Sequence, residues 1–362
     1  MISGETCFGC SACSNACELG AITMIYGKKG FLVPQVDSAK CIQCDKCSAV
    51  CPMNISTENA PYEMKKAYFF IHEDMYDRNL SSSGGFVKAL ADYVFEHEGI
   101  CFGAAFDEDL SVHHVGIINR DDVYAILGSK YVQSRTEKTY VEVRKHIERG
   151  KLVLYVGTPC QIAGLKAFLG NVDYENLITI DIFCHGVPSE KMWLDYLHEY
   201  FSNEEIRYVQ FRDKTLGWWQ FRFRIQFAHS EYASLYRPPQ DDYIRLFLKN
   251  ITISDICLNC PYRTKKKYSD FYIGDAWNIN KVKKNMDDNH GITTVIANSK
   301  KAEIIIEEMK KKKHHFFQVS LEDGVYTRTE LFNSKSISEE REKFWKYYDK
   351  LGMRKTIQEL SL

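Results

Sequence analysis

The 362-residue sequence predicts an α+β to α/β architecture in two parts, a small cysteine-rich N-terminal module and a larger mixed-sheet α/β domain with an antiparallel excursion. Three observations carry this. Two copies of one cysteine pattern fall within residues 7–51. Between residues 83 and 183 helical and strand periodicities alternate, and from Ile206 to Leu235 the chain turns strand-rich and aromatic. The length exceeds one ordinary domain.

The N-terminal module spans 1–55. Cys7, Cys10, Cys13 and Cys17 follow CxxCxxCxxxC, and Cys41, Cys44, Cys47 and Cys51 repeat it, closed by Pro52. A cubane cluster needs four converging thiolates. In the bacterial-type ferredoxin arrangement three come from one tight loop and the fourth crosses from the other run. By that rule Cys7, Cys10, Cys13 and Cys51 hold one [4Fe-4S] cluster, and Cys41, Cys44, Cys47 and Cys17 hold a second. Small residues between the ligands let backbone N–H groups reach the sulfurs. Glu18 departs from the pattern, standing where proline closes the second run. Paired zinc sites use CxxC pairs and need no such triplets. Ala21–Tyr26 and Gly30–Val36 read as a hairpin covering the clusters.

Residues 56–67, polar after Pro52, read as a linker, and the larger domain runs over 68–300. Its expected elements are a helix over 83–98, strands over 100–106 and 112–118, helices near 121–127 and 137–149, a strand over 152–156, a helix through Leu169 and a strand over 177–183. The excursion over 206–235 follows, its aromatics assigned to core or cover, then a strand near 291–297 and a helix from Lys300. Residues 301–362 read as a charged helical region, with the Lys310–His315 run a solvated helix end.

Lys+Arg total 47 against 48 Asp+Glu, so no net field favours nucleic acid or an anionic membrane. No apolar stretch approaches the roughly 18 residues of a membrane span, and Met1–Cys7 has no signal-peptide character. Cysteines at metal-ligand spacings suit a reducing cytoplasm better than a disulfide framework.

Cys160 follows a strand with Thr158 placed as N-cap and Pro159 at the first helical position. Cys184, in Phe183-Cys184-His185-Gly186, ends another strand, and in an open α/β sheet such ends form the ligand-binding rim. Cys257 and Cys260 form a CxxC. Together these make four ligands, enough for a third cubane, while buried structural cysteines, a redox dithiol or half a zinc site remain open. Cys101, mid-strand, reads as a buried structural thiol. Ser81-Ser82-Ser83-Gly84-Gly85 opens a helix and offers a phosphate seat, and Gly128-Ser129-Lys130-Tyr131-Val132-Gln133-Ser134 supplies groups suited to a dinucleotide.

Taken in order, the double cysteine run, Ser83-Gly84-Gly85, Gly128-Ser129-Lys130-Tyr131, Gly157-Thr158-Pro159-Cys160-Gln161, Cys184-His185-Gly186, Cys257–Cys260 and Ser269–Trp277 resemble the family of coenzyme F420 hydrogenase/dehydrogenase beta subunits over residues 1–300. The resemblance implies an FAD-binding α/β domain, with FAD beside a core cluster held by Cys160, Cys184, Cys257 and Cys260. It makes Ser83, Gly84, Gly85, Ser129, Lys130, Tyr131, Gln133, Ser134, Gly157 and Thr158 candidate FAD contacts. Lys130 is then a charge beside the flavin and His185 a candidate proton donor, while Asp275 either meets an FAD hydroxyl or caps a turn. The function implied is an iron–sulfur flavoprotein oxidoreductase passing electrons between a one-electron carrier and a two-electron substrate, coenzyme F420 or another organic molecule. The expected redox partner is a ferredoxin or a hydrogenase/dehydrogenase-type subunit. The alternative is a non-catalytic relay subunit without a small-molecule site.

Overall fold

A computed structural model describes residues 7–230, 233–312, 314–325 and 331–362. Parts of the N-terminus, the excursion and the charged C-terminal region therefore lie outside the described residues. Along the chain come α1 (Ala12–Ala16), β1 (Ile22–Tyr26), β2 (Leu32–Val36), α2 (Lys46–Ala49), β3 (Tyr62–Glu63), β4 (Lys66–Ile71), α3 (Met75–Leu80) and α4 (Phe86–Glu96). Then follow β5 (Ile100–Phe106), β6 (Val112–Ile117), α5 (Thr139–Glu148), β7 (Val153–Gly157), α6 (Pro159–Phe168), β8 (Leu177–Ile182) and α7 (Glu190–Phe201). The excursion supplies β9 (Ile206–Asp213), β10 (Arg222–Phe227) and β11 (Ser234–Tyr236), followed by α8 (Asp242–Leu248), α9 (Asp255–Leu258) and β12 (Lys266–Lys267). The chain closes with β13 (Phe271–Asp275), α10 (Ile279–Val282), β14 (Thr293–Ala297), α11 (Lys300–Lys310), β15 (His315–Val319), α12 (Leu321–Val325) and α13 (Glu339–Leu360).

The main sheet has eight strands in the order β15-β4-β14-β13-β8-β7-β5-β6. Its central strands β13, β8, β7 and β5 are parallel, while β6, β14, β4 and β15 add antiparallel margins. The parallel strands are near-continuous apolar runs because helices cover both faces. Phe86, Leu90 and Val94 of α4 and Ile305, Ile306 and Met309 of α11 share one core cluster with strand residues Leu154, Ile178 and Val295. The excursion β11-β10-β9 is a separate antiparallel sheet, and its Phe211, Phe223 and Ile225 pack with Trp193 and Tyr196 of α7 in a second core.

Three boundaries differ from expectation. The stretch read as a linker, 56–67, is strapped down: β3 pairs with β12 and β4 already begins at Lys66. A polar composition hid this because two-residue strands carry no periodicity. Second, the sheet does not end at residue 300, since β15 pairs with Ala67–Ile71 of β4. The lysine run ends α11 as expected, but the following His315–Val319 segment is a strand that one basic cluster disguised. Third, the 121–127 segment is a 3-10 helix over Arg120–Ile126. Cys101 is fully buried in β5, as a structural thiol should be.

The two cysteine runs share a backbone. Gly9 and Gln43 sit at matching positions with φ 69° and 56°, as do Ser11 and Asp45 with φ 59° and 57°, and a short helix follows each. Left-handed residues alternating with a cysteine turn peptide N–H groups inward, a nest suited to an anionic cluster. The module is seated on the main domain by its first run. Thr136 Oγ1 donates to Cys10 O at 2.9 Å, Lys138 Nζ to Ser14 O at 2.7 Å, and Phe8 and Cys10 join a core cluster with Tyr140, Tyr155 and Ile162. The second run faces outward, with Cys44 exposed. Among the described residues no helix is long and apolar enough to cross a membrane.

Candidate functional site

In the module Cys51 of the second run lies with the sulfurs of the first run. Cys10 interacts electrostatically with Cys7, Cys13 and Cys51, while Cys47 interacts with Cys41 and Cys44. Backbone N–H groups reach the sulfurs, from Gly9 to Cys7 at 3.2 Å and from Ala21 to Cys17 at 3.3 Å. Burial, reinforced by neighbouring sulfurs, pushes the Cys13 thiol up to about 12 and Cys10 higher. Such thiols ionise readily only beside a metal charge.

The parallel strands β7 and β8 deliver the second set. Past β7, Thr158 caps α6, and its N–H donates to Gln161 Oε1 at 2.9 Å, which holds Cys160 on the first turn. Past β8, the loop bearing Cys184 meets the CxxC loop through a Pro188–Ile253 bridge and a Ser254 N–H bond to Val187 O at 3.0 Å. Gly186, at φ 131°, permits this approach, because a Cβ there would lie 3.2 Å from Cys257 Cβ. Cys160, Cys184, Cys257 and Cys260 consequently line one pocket, closed on the module side by Phe8 and Tyr262. The lining is chiefly apolar, and burial pushes Cys184 up to about 12 and Cys257 to about 11.

Tyr262 connects the two regions. Its ring lies 5.4 Å from that of Phe8, its hydroxyl donates to Pro52 O at 3.3 Å, and it interacts electrostatically with both Cys160 and Cys10.

A polar wall adjoins the pocket on the same rim. Ser129 N–H donates to Ser82 Oγ at 2.6 Å, and Arg212 forms a two-pronged pair with Asp275 at 2.9 and 3.1 Å. Asp275, the last residue of β13, thus holds Arg212 and also accepts from Trp218 Nε1 at 2.9 Å. Tyr131 stacks on Phe247 at 4.9 Å, and His185 meets the edge of that ring at 4.8 Å, so the wall runs up to Cys184. Lys130 Nζ donates to Leu127 O at 2.9 Å, and burial lowers its pKa to about 7. Burial likewise lowers His185 to about 4, leaving a neutral imidazole at pH 7.

Of the candidate FAD contacts, Ser129, Lys130, Tyr131 and Thr158 are partly exposed at this rim. Ser83 Oγ donates to Ile292 O at 2.6 Å, and Gly84 is required by close packing, its Cβ position lying 2.3 Å from Phe70 O. Gly85 caps α4 at φ 90°. Gly157 is buried at the end of β7. Gln133 and Ser134 point elsewhere. Gln133 accepts from Leu32 N–H at 2.9 Å and donates to Phe8 O at 3.3 Å, while Ser134 Oγ bonds His114 Nδ1 at 2.8 Å. Sequence reasoning missed Arg212, since an isolated basic residue in a strand carries no motif. Arg212 Nε, at the rim, is buried without a hydrogen-bond acceptor among the described residues, which leaves it a donor for a bound polar group.

Fold and cysteine arrangement define an iron–sulfur electron-transfer protein. Residues 6–55 match the 4Fe-4S dicluster domain, and residues 150–319 match the C terminus of the coenzyme F420 hydrogenase/dehydrogenase beta subunit. The chain is therefore a relative of those beta subunits with an N-terminal dicluster domain, as its motifs indicate. It is 23% identical over 230 residues to one of the subunits of the F(420)H(2) dehydrogenase of Methanosarcina mazei, covering 60% of this chain and 64% of that one. It is 27% identical over 213 residues to the coenzyme F420-dependent sulfite reductase of Methanocaldococcus jannaschii, covering 49% of this chain and 33% of that one. The matches thus span less than two thirds of either relative. A chain from the F420-reducing [NiFe] hydrogenase complex of Methanosarcina barkeri shares the fold, with TM-score 0.51 and 16% identity, covering 82% of this chain and 92% of that one.

Proposed function

We propose that this chain is a flavin-dependent oxidoreductase, or the flavin-bearing subunit of one, that exchanges electrons between a one-electron protein carrier and a two-electron organic substrate. The observation that carries the reading is the convergence of Cys160, Cys184, Cys257 and Cys260 on one pocket whose wall, Phe8 and Tyr262, touches the first cluster site. In this reading those four thiolates hold a third [4Fe-4S] cluster, and the Ser82–Ser129–Lys130–Tyr131–Arg212 wall holds FAD. A bound flavin takes two electrons as a hydride and releases them singly to clusters. The chain's own residues bind, orient and insulate. Arg212 places positive charge where a pyrophosphate is anionic, Lys130, its pKa lowered to about 7, would be held protonated by an anionic flavin, Phe247 and Tyr131 exclude water, and the exposed second run presents its cluster to a redox partner. The relatives' names point to the deazaflavin F420 as the substrate to try first.

A second reading is a relay subunit without a small-molecule site. It is favoured by Gln133 and Ser134, whose side chains are committed to internal bonds. Cys184→Ser separates the parts of the account: the leading reading expects loss of about four irons with the module's eight retained. Unchanged iron content in that variant would remove Cys184 from any cluster.

A further inference from the structure

Among the described residues, the loop carrying the CxxC has no regular strand pairing beyond the bridge to Pro188, yet it must hold two thiolates in fixed positions. Most of what holds it comes from the C-terminal segment, beyond the residues that match the beta subunits. Ser338 caps α13, and one turn in, the Arg341 guanidinium is buried against the loop at 3% exposure. Its two terminal nitrogens donate to four acceptors within six residues: Asn250 O at 2.8 Å, Ile251 O at 2.6 Å, Ile253 O at 2.7 Å and Asp255 Oδ1 at 2.5 Å. Trp345 Nε1 adds a bond to Ile251 O at 2.9 Å, and Lys335 N–H bonds Leu258 O at 2.7 Å, inside the CxxC itself.

The same node reaches the dicluster module. Asp255 Oδ2 accepts from Lys29 Nζ at 2.6 Å, Lys29 lies 5.3 Å over the Trp345 ring, and Phe31 packs against that ring at 6.2 Å. Lys29 and Phe31 belong to the β1–β2 hairpin, so one ion-pair network joins module, CxxC loop and C-terminal helix.

We propose that α13 is a latch that sets the CxxC loop against the dicluster module, with Arg341 and Asp255 as positioning residues for the core cluster. The proposal rests on the reading that Cys160, Cys184, Cys257 and Cys260 hold that cluster. Its physical basis is geometric: a planar fork with several fixed donors pins a loop backbone in a way that a single ammonium does not.

The test compares wild type, Arg341→Ala, Arg341→Lys and Asp255→Ala, all purified without oxygen. Iron per chain, the rate of iron transfer to a chelator and the midpoint potential of each cluster by paramagnetic resonance are measured. Wild type should hold about twelve irons. Asp255, 56% exposed in its side chain, is the outer partner of the buried Arg341, whose guanidinium keeps three carbonyl acceptors when Asp255 is truncated, so that variant should fold and release four of its irons at least about tenfold faster, the other eight unchanged. Arg341→Ala should fall to about eight irons, or keep twelve with a shifted core potential, and Arg341→Lys should not restore the wild-type potential. Should Arg341→Ala not fold, Asp255→Ala decides. Twelve irons leaving Asp255→Ala with wild-type phases and unchanged potentials would overturn the latch. About eight irons in wild type would instead overturn the core-cluster reading, a separate outcome.

Discussion

At the scale of single residues, contacts explain several identities that no motif announced. Gly164 lies inside α6, where alanine should gain about 1 kcal/mol in helix propensity. Its Cβ position, however, lies 2.9 Å from Cys10 Sγ, a proposed ligand of the inner cluster. Gly164→Ala should therefore destabilise by about 1–2 kcal/mol and speed bleaching of the visible cluster absorbance. An unchanged bleaching rate would show that Cys10 can move without consequence. His114 supplies a pH test. Its ring is fully enclosed between Ser134 Oγ at 2.8 Å and Val156 O at 3.0 Å, and burial lowers its pKa to about 4. The unfolded chain binds the proton first, so stability should be full above about 6.5 and fall as pH drops towards 4, by up to about 3 kcal/mol. Thermal midpoints of wild type and His114→Asn should converge across that window; parallel curves would contradict it. The dicluster module was legible because the spacing of its two cysteine runs alone encodes cubane loops. Gly164 and the Arg212–Asp275 pair were not, because their reasons lie in chain segments far apart in sequence.

Among the elements, those with strong local periodicity were readable. β5 spans the expected 100–106, the hairpin β1–β2 sits where two apolar runs flank Gly27 and Gly30, and Thr158-Pro159 opens α6. β13 lies within the Ser269–Trp277 motif but carries no strand signal of its own, because Phe271–Asp275 is a short run with a buried apolar start and lacks alternation. β15 was masked by charge, and α13 falls where a charged helical region is expected, but its apolar face, including Phe344 and Tyr348, becomes meaningful only once α7 is there to receive it. The seating of the module on its neighbour depends on the 133–138 segment, with Gln133 bonding both Leu32 N–H and Phe8 O. Gln133→Leu removes both bonds and leaves buried backbone groups unsatisfied, a cost of about 2–4 kcal/mol. Hydrogen exchange in the hairpin and in residues 7–13 should rise, with the iron count unchanged. Equal protection in the variant would mean that apolar packing around Phe8 and Cys10 alone seats the module.

For the whole molecule, the architecture orders three cysteine sets from the sheet rim outward. The rim pocket comes first, the first module site lies across Phe8 and Tyr262, and the second site faces outward at Cys44. The polar wall from Ser82 to His185 meets this series at its inner end, where a two-electron carrier would be needed. That order gives the central claim its most direct test, a count of iron, sulfide and released flavin per chain in protein purified without oxygen. The account predicts about twelve irons, about twelve sulfides and one FAD. About eight irons and no flavin, after reconstitution with both, would contradict it and leave a two-cluster relay.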